Sequence, residues 1–238
     1  TINRITKQPQ PRSFASLRVS AGDSIRSEID VNTPLTLGGA NNMMFRISGL
    51  FEDGDTWFGQ VLEQKAIAPS FRWDLTKKSK LILEYSYDQQ LRQATWETPI
   101  HMGNYNGVTT PDGIYREVPR KINWVDPSDY RRFTRHMYST DFRHAFTADL
   151  QFRSQYRREE NLEERLETQA LTEGLTVLRD TILIPRLFRK WDPTYSGHSL
   201  RNELIWAGRT GPVQHRVLVG AGYDCVTERS ISWQTSQN

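Results

Sequence analysis

The sequence predicts an all-β protein, namely the antiparallel wall of a transmembrane β-barrel. Segments recur along the chain in which apolar and charged residues alternate, so that each strand has one apolar and one charged face. The clearest segment covers residues 147–156, where Leu150, Phe152 and Tyr156 alternate with polar residues such as Arg153. The connections also alternate between short and long after the first hairpin, which is typical of bacterial outer-membrane barrels.

The composition restricts the protein class less than this pattern does. The chain has 238 residues, of which 37% are hydrophobic and 25% are charged, and its formal net charge is +3. Its longest apolar runs, such as residues 81–83, are far below the roughly 20 residues that a helix needs to cross a bilayer. A helical membrane protein is therefore excluded, whereas a barrel tolerates low hydropathy because only alternate residues face lipid.

About nine strands can be placed from the alternation. The first two form a hairpin around the tight turn Gly22-Asp23, and the Gly38-Gly39 pair ends the second strand. Short turns are expected at residues 76–79, 144–146 and 208–214. The expected strands cover residues 15–21, 25–31, 43–51, 67–75, 81–87, 133–142, 147–156, 199–207 and 215–223.

Two segments break the strand pattern. Residues 89–130 lack periodicity and are far longer than the usual connection of about 4–6 residues, which indicates a loop with a function. Residues 157–172 are rich in Glu, Arg and Leu, and Leu162 and Leu166 are four residues apart, which predicts a helix. Because the segment is too short for sustained heptads, a solvated loop helix is favoured over a coiled-coil or partner helix.

Three motifs resemble one membrane-protein family. Residues 1–9, TINRITKQP, resemble the last plug strand of TonB-dependent siderophore receptors. Residues 67–71, Ile-Ala-Pro-Ser-Phe, resemble a strand that follows the second outer loop of the family. Residues 202–223 resemble the family's hairpin with the pattern Gly-Pro-x-x-His-x-x-Leu-x-Gly-x-x-Tyr. The motifs occur in the family's order, with an acidic outer loop at residues 52–55 between the first and last of them.

The resemblance implies a plugged, 22-stranded barrel in the outer membrane of a Gram-negative bacterium, of which this chain carries about nine strands. Residues 1–12 would be the C-terminal tail of the plug domain, and residues 13–238 the N-terminal part of the barrel. We therefore expect a fragment with two unpaired edges that does not transport alone. The implied partners are a ferric siderophore as the transported ligand, the TonB complex through a segment outside this chain, and outer-membrane lipid, with no cofactor.

Ligand contacts are expected in the outer loops. A siderophore pocket needs aromatic walls and hydrogen-bond donors, and the loop at residues 89–130 occupies the position of the family's third outer loop. Trp96 and Tyr105 are the first candidates, and packing of these aromatics against the barrel rim is the alternative interpretation. The complete set of expected ligand-binding residues is Trp96, Tyr105, Tyr115, His101, Arg116, Trp57 and Phe58.

The charged faces of the strands are expected to line the lumen. Structural ion pairs are favoured over ligand contacts for these positions. The residues concerned are Arg18, Arg26, Glu28, Asp30, Arg46, Glu84, Asp149 and Arg153.

Other functions receive less support from the sequence. An enzyme is not expected, because no nucleophile elbow, phosphate loop or metal-ligand spacing is present. Nucleic-acid binding is not expected, because no basic run is interleaved with aromatic residues. The alternative is a soluble all-β carbohydrate-binding module that presents Trp57, Trp96 and Trp124 as stacking platforms.

Overall fold

A computed structural model describes residues 7–37, 40–55, 61–93, 126, 128–170, 176–178, 181–183 and 186–237. Within these residues the chain forms strands and no helix. The strands are β1 (Phe14–Ala21), β2 (Ser24–Leu37), β3 (Ala40–Asp55), β4 (Val61–Thr76), β5 (Ser79–Arg92), β6 (Tyr130–Ala145), β7 (Leu150–Ala170), β8 (Thr176–Leu178), β9 (Thr181–Leu183), β10 (Arg186–Trp191), β11 (Thr194–Thr210), β12 (Val213–Arg229) and β13 (Ser232–Gln237).

Eleven of these strands form one antiparallel sheet, and β8 pairs with β9 in a separate hairpin. Strands β1 to β7 follow one another in chain order. The 21-residue strand β7 then pairs with β11 along residues 150–162 and with β10 along residues 165–170. Because β10 and β11 lie end to end, as do β12 and β13, the sheet has nine strand positions, which confirms the predicted wall.

The predicted helix at residues 157–172 is wrong, because β7 extends through Ala170. A spacing of four residues puts Leu162 and Leu166 on one side of a helix, but four is also an even number, so it equally puts them on one face of a strand. The backbone of β7 pairs with β6 on one side and with β10 and β11 on the other, and this pairing stabilises the strand over the helix. Tertiary pairing thus overrides the local helical preference of the Glu and Arg residues.

The two ends of the sheet differ in their connections. At one end, here the turn end, β4 and β5 are joined at Lys77-Lys78, β6 and β7 at residues 146–149, and β11 and β12 at Gly211-Pro212. Gly211 has a φ of 59°, a conformation that suits a residue without a side chain. At the opposite end, here the loop end, lie the connections 56–60, 93–129 and 171–185. Short turns face the periplasm in outer-membrane barrels, so in such a barrel the loop end would be the extracellular one.

Two neighbouring rows of paired residues show that the sheet has two chemically different faces. One row is mostly apolar and aromatic: Thr33, Phe45, Phe71, Leu83, Thr140, Tyr156, Leu200 and Tyr223. The next row, on the opposite face, is entirely polar: Asn32, Arg46, Ser70, Glu84, Ser139, Arg157, Ser199 and Asp224. The face with the first row is called the outward face below, and the other the inward face.

Burial on these two faces is inverted relative to a water-soluble protein. Leu17 is 72% and Val19 61% exposed on the outward face, whereas Asn32 is 1% and Arg46 7% exposed on the inward face. Large exposed apolar areas mark surfaces that bind lipid or another protein. No helix among the described residues is long and apolar enough to span a bilayer.

A charge placed in the middle of the outward face is expected to be costly only if that face lies in lipid. Leu83→Arg should lower the free energy of unfolding by about 2–4 kcal/mol, the cost of arginine near the midplane of a barrel. Val61→Arg is a matched control, since Val61 is outward and similarly exposed but lies at the loop end of β4. It should cost about 0–1 kcal/mol.

Urea titration of the folded protein in lipid vesicles measures both values. Equal costs for Leu83→Arg and Val61→Arg would contradict a lipid-facing position of Leu83.

Candidate functional site

Residues 7–12 lie along the inward face of β2 and β3 and are held there by side chains of the sheet. The Asn32 side chain accepts a hydrogen bond from the Gln10 backbone N–H at 2.9 Å and donates to the Gln10 carbonyl at 2.9 Å. Its amide also donates to the Arg12 carbonyl. Asn32 is 1% exposed, so one buried amide takes the place of a neighbouring strand for this segment. We call residues 7–12 the tail and Asp30, Asn32 and Arg46 the seat.

The second part of the seat is a buried ion pair. The Arg46 guanidinium donates from Nε to Asp30 Oδ1 at 2.9 Å and from Nη2 to Asp30 Oδ2 at 2.7 Å. Its third nitrogen, Nη1, donates to the Gln8 carbonyl at 3.0 Å, and Lys7 Nζ lies 3.0 Å from Asp30 Oδ2. Arg46 also stacks over the Phe14 ring at 5.1 Å. The bidentate pair therefore fixes the guanidinium so that its free end holds the tail.

Similar ion pairs continue along the inward face, as predicted from the charged faces of the strands. Asp141 accepts from Arg143 at 2.7 Å and from Arg153 at 2.8 Å, and Arg26 lies 3.1 Å from Glu52. Of the predicted lumen residues, Arg18, Arg26, Glu28, Asp30, Arg46 and Arg153 form ion pairs and Glu84 accepts a hydrogen bond from Ser139. Asp149 differs, because it lies in the turn before β7 rather than in the strand.

A denser group lies on the inward face near the loop end, and we call it the rim cluster. Two guanidinium groups lie over the Trp191 ring, with Arg165 at 4.7 Å and Arg189 at 4.9 Å from its centroid. Arg131 Nε lies 2.6 Å from the Glu163 carboxylate, which also contacts Arg165. The remaining carboxylate belongs to Glu167, which is 3% exposed. The rim cluster consists of Arg131, Glu163, Arg165, Glu167, Arg189 and Trp191.

The rim cluster is held in position by paired strands and by Asp129. Asp129 is 3% exposed and accepts from the Thr168 backbone N–H at 2.8 Å and from the Thr168 hydroxyl at 3.0 Å. The end of β7 is thereby fixed to the start of β6. Stacked arginines on a tryptophan offer flat, donor-rich surfaces of the kind that bind carboxylate or catecholate groups.

The rim cluster was not predicted from the sequence, because Glu163, Arg165 and Glu167 fell in the predicted helix and Arg131, Arg189 and Trp191 lay outside every predicted strand. Opposite charges at positions two apart, such as Glu163 with Arg165 and Arg165 with Glu167, could have identified it. Residues two apart share a face only in a strand. All seven predicted ligand-binding residues lie outside the described residues: Trp96, Tyr105, Tyr115, His101, Arg116, Trp57 and Phe58.

The described part of the chain offers no evident metal centre. Within those residues no group of three or more His, Cys, Asp or Glu side chains could hold a metal ion.

Comparison with known proteins identifies similar receptors, although no protein-family model matches the chain. The chain is 25% identical over 230 residues to the metal-pseudopaline receptor CntO of Pseudomonas aeruginosa strain UCBPP-PA14, a match that covers 94% of this chain and 30% of that receptor. It is 26% identical over 224 residues to the ferrioxamine receptor of Yersinia enterocolitica, which covers 92% of this chain and 29% of that receptor. The chain thus spans about 30% of the length of these relatives.

Solved structures share the fold. The FpvA receptor of P. aeruginosa, bound to a heterologous iron-loaded pyoverdine, superposes with a TM-score of 0.83 at 17% identity, covering 98% of this chain and 30% of FpvA. The ferric-catecholate import receptor Fiu of E. coli K12 gives a TM-score of 0.79 at 19% identity, covering 94% of this chain and 33% of Fiu. The chain is similar to the TonB-dependent siderophore receptors.

The resemblance read from the three sequence motifs is thereby confirmed. The relatives also agree with the predicted location in the outer membrane of a Gram-negative bacterium. As in the TonB-dependent receptors, the wall is antiparallel and the nine strand positions follow chain order.

Loss of the Asn32 amide should release the tail from the inward face of the sheet. Asn32→Ala removes the two N–H donors and the one oxygen acceptor of the side chain that contact the tail backbone. The backbone groups of the tail are then left unpaired, which costs about 1–3 kcal/mol. Trypsin should then cleave after Lys7 and Arg12 about tenfold faster or more, since cleavage follows local opening. Ser139→Ala is the control, because Ser139 is inward and bonded to Glu84 but is not in the seat. Unchanged cleavage in Asn32→Ala would show that the amide does not hold the tail.

The Asp30–Arg46 pair is expected to show strong coupling in a double-mutant cycle. Asp30→Asn and Arg46→Gln each leave one buried charge without its partner, which costs about 3–5 kcal/mol, and the double variant should cost clearly less than the sum. The Arg18–Glu28 pair is the control, because it is 3.6 Å apart and Arg18 is 81% exposed, so no measurable coupling is expected. The measurement is urea unfolding in vesicles, and additive costs at Asp30 and Arg46 would refute the coupling.

Proposed function

We propose that the chain is part of an outer-membrane receptor that imports a siderophore–metal complex with energy supplied through TonB. The observation that carries this proposal is the inverted burial of the sheet, with Leu17 72% exposed on one face and Arg46 7% exposed on the other. Such a wall needs lipid outside and a filled, polar interior. The named relatives, which are receptors for metal-pseudopaline and ferrioxamine, support the cargo class.

In this proposal residues 1–12 are the C-terminal tail of the plug domain and residues 13–238 begin the barrel. The contacts of Lys7, Gln8 and Gln10 with the seat support this division, because the tail lies against the inward face, where a plug would be. The remaining plug and barrel would belong to the part of the relatives that the chain does not span.

The role of the described residues in import would be to bind and position, without covalent chemistry. The seat would fix the end of the plug to the wall, and the inward ion pairs would present a charged surface to the moving plug. The rim cluster would line the vestibule above the plug. Cargo held there would meet the stacked guanidinium groups of Arg165 and Arg189.

The soluble carbohydrate-binding module is not supported. A module in water would bury its apolar side chains between its own sheets, whereas Leu17, Val19 and Val219 are 61–72% exposed on the outward face. The relatives are named as receptors for metal-pseudopaline and ferrioxamine, and not for carbohydrates.

Uptake by living cells tests the proposed function. The gene that carries this chain is deleted and then restored, and cells are given ferrioxamine, metal-pseudopaline, an iron–pyoverdine complex and an iron–catecholate complex. We expect accumulation of at least one complex to depend on the gene and to stop when a protonophore removes the energy source. If accumulation of all four complexes is unaffected by the deletion, the proposed import function is wrong.

The long third loop is proposed to supply the main ligand contacts, with Trp96 and Tyr105 first, then Tyr115, and His101 and Arg116 as polar partners. Trp57 and Phe58 would contribute from the second loop. Trp96→Ala and Tyr105→Ala should each weaken binding of the transported complex about tenfold or more, because buried aromatic contacts dominate interface energies.

Trp124→Ala is the matched control for these variants. It removes an aromatic side chain from the same loop, but Trp124 is expected to contact a ligand only in the carbohydrate-binding alternative. Binding is measured by the quenching of intrinsic fluorescence in the purified receptor. Equal effects of Trp96→Ala and Trp124→Ala, or no effect of either Trp96→Ala or Tyr105→Ala, would contradict the proposed contacts.

A further inference from the structure

A groove of about 570 Å³ lies at the turn end of the sheet, on strands β4 to β7. Its strand residues include Arg72, Lys80 and Arg143, which occupy inward positions of the register. The groove therefore opens toward the lumen, at the end opposite to the rim cluster, and we call it the turn-end groove. Its charged lining residues, of which only one is acidic, are Arg72, Asp74, Lys77, Lys78, Lys80 and Arg143.

Lys80 is the cation of the groove that is left without a counter-ion. Arg72 donates to Asp74 at 2.9 and 3.0 Å, and Arg143 donates to Asp141 at 3.0 and 2.7 Å. Lys80 lies on β5, between the strands that carry these two forked pairs. Among the described residues its ammonium group has no hydrogen-bond or ion-pair partner. The two arginines repel it more strongly than the two carboxylates attract it.

Lys80 is also the first residue in a row of like charges across the sheet. It is directly opposite Arg143, which is in turn directly opposite Arg153 on β7. Like charges at directly opposite positions repel each other and destabilise a sheet. Asp141 is shared by Arg143 and Arg153, and Glu203 lies 3.7 Å from Arg153. These acids neutralise the β6 and β7 part of the row, so an anion is needed beside Lys80.

The shape of the row indicates a ligand with more than one anionic group. Neighbouring strands are about 4.8 Å apart, so three cations on three strands extend over about 10 Å. One phosphate group cannot bridge that distance, whereas carboxylates on separate carbon atoms of one molecule can. Arg143 contacts Asp141 through Nε and Nη2, so within the described part of the chain the donors of its Nη1 remain available to such a ligand.

The tail does not supply this anion. It lies along the seat on β2 and β3, and it carries Lys7 and Arg12 but no acidic residue. Of the described tail residues, none lines the turn-end groove. The groove is therefore open to a ligand that moves through the lumen toward the turn end.

We propose that the turn-end groove is a second anion site of the lumen, which binds a ligand with several carboxylate groups where that ligand leaves the barrel. Lys80 binds one carboxylate, and Arg143 binds another through its free donors. The ligand is the transported metal complex on its way to the periplasm. The identity of the ligand rests on the proposed function, whereas the presence of a carboxylate site does not.

The test uses the complete receptor that carries this chain, purified in detergent, and isothermal titration calorimetry at low salt. The probes are tricarballylate, which has three carboxylates, and acetate and inorganic phosphate. Wild-type receptor should bind tricarballylate more tightly than either of the other probes. Lys80→Gln should weaken this binding about tenfold or more, because a charge-assisted contact is lost. Lys80→Arg should keep it to within about threefold, because the charge is kept.

Two further residues assign the binding to the groove. Lys65→Gln is the matched control, since Lys65 is an outward cation near the loop end of β4, and it should bind tricarballylate like the wild type. Lys80→Gln is also combined with Arg189→Gln, so that a carboxylate site in the rim cluster cannot mask the loss. Without ligand, Lys80→Gln should melt no earlier than the wild type, because it removes a repelled cation. Misfolding is thereby separated from lost binding.

The proposal is overturned if the wild type binds no tricarballylate, which would show that another segment of the receptor supplies the anion. It is equally overturned if acetate or phosphate binds as tightly, if Lys65→Gln weakens binding as much as Lys80→Gln, or if Lys80→Gln leaves binding unchanged with and without Arg189→Gln. Metal-complex uptake is measured in parallel. Absent uptake with intact tricarballylate binding would count against the import function alone.

Discussion

The structure depends on one constraint: a strand in hydrocarbon must satisfy every backbone N–H and C=O by pairing with its neighbours. Once the strands are paired, the two-residue period leaves each side chain only two directions. The row through Phe71 and Leu83 and the row through Arg46 and Glu84 are thus neighbours in sequence but belong to different environments. The apolar outward face and the charged inward face both follow from this separation.

The inward face shows how charged side chains can be buried with their hydrogen-bonding groups paired. Asp30 and Arg46 are 9% and 7% exposed, and their fork-shaped contact satisfies both carboxylate oxygens. The remaining guanidinium nitrogen is directed to the backbone of Gln8 rather than to water. The same residues that neutralise each other therefore recognise a chain segment that has no strand neighbour. The Asp30–Arg46 ion pair and the contact with the tail thus depend on the same position of the Arg46 guanidinium.

Much of the fold could be predicted from sequence, because apolar and polar residues alternate along barrel strands. This two-residue period can be recognised in each strand without knowledge of its neighbours. Leu150, Phe152 and Tyr156 show it fully. The period fails in β7 beyond Tyr156, because polar residues occupy both faces there and Leu162 and Leu166 are the only apolar residues among residues 157–169. The rim cluster was missed for this reason. Partners such as Arg165 and Trp191 lie on different strands, so no local sequence pattern predicts their contact.

The breaks between β10 and β11 and between β12 and β13 lie side by side. Asp192 N–H donates to the Ile231 carbonyl at 3.0 Å, and the Pro193 carbonyl accepts from Glu163 N–H at 3.0 Å, so bonding across the wall continues through the interruption. Proline has no N–H, so this position leaves no donor unsatisfied. The loop-end part of the wall, formed by β10 and β13, can consequently gain or lose residues through evolution while β11 and β12 keep their register. The height of the wall above the membrane and the length of its membrane-spanning part can thus change independently.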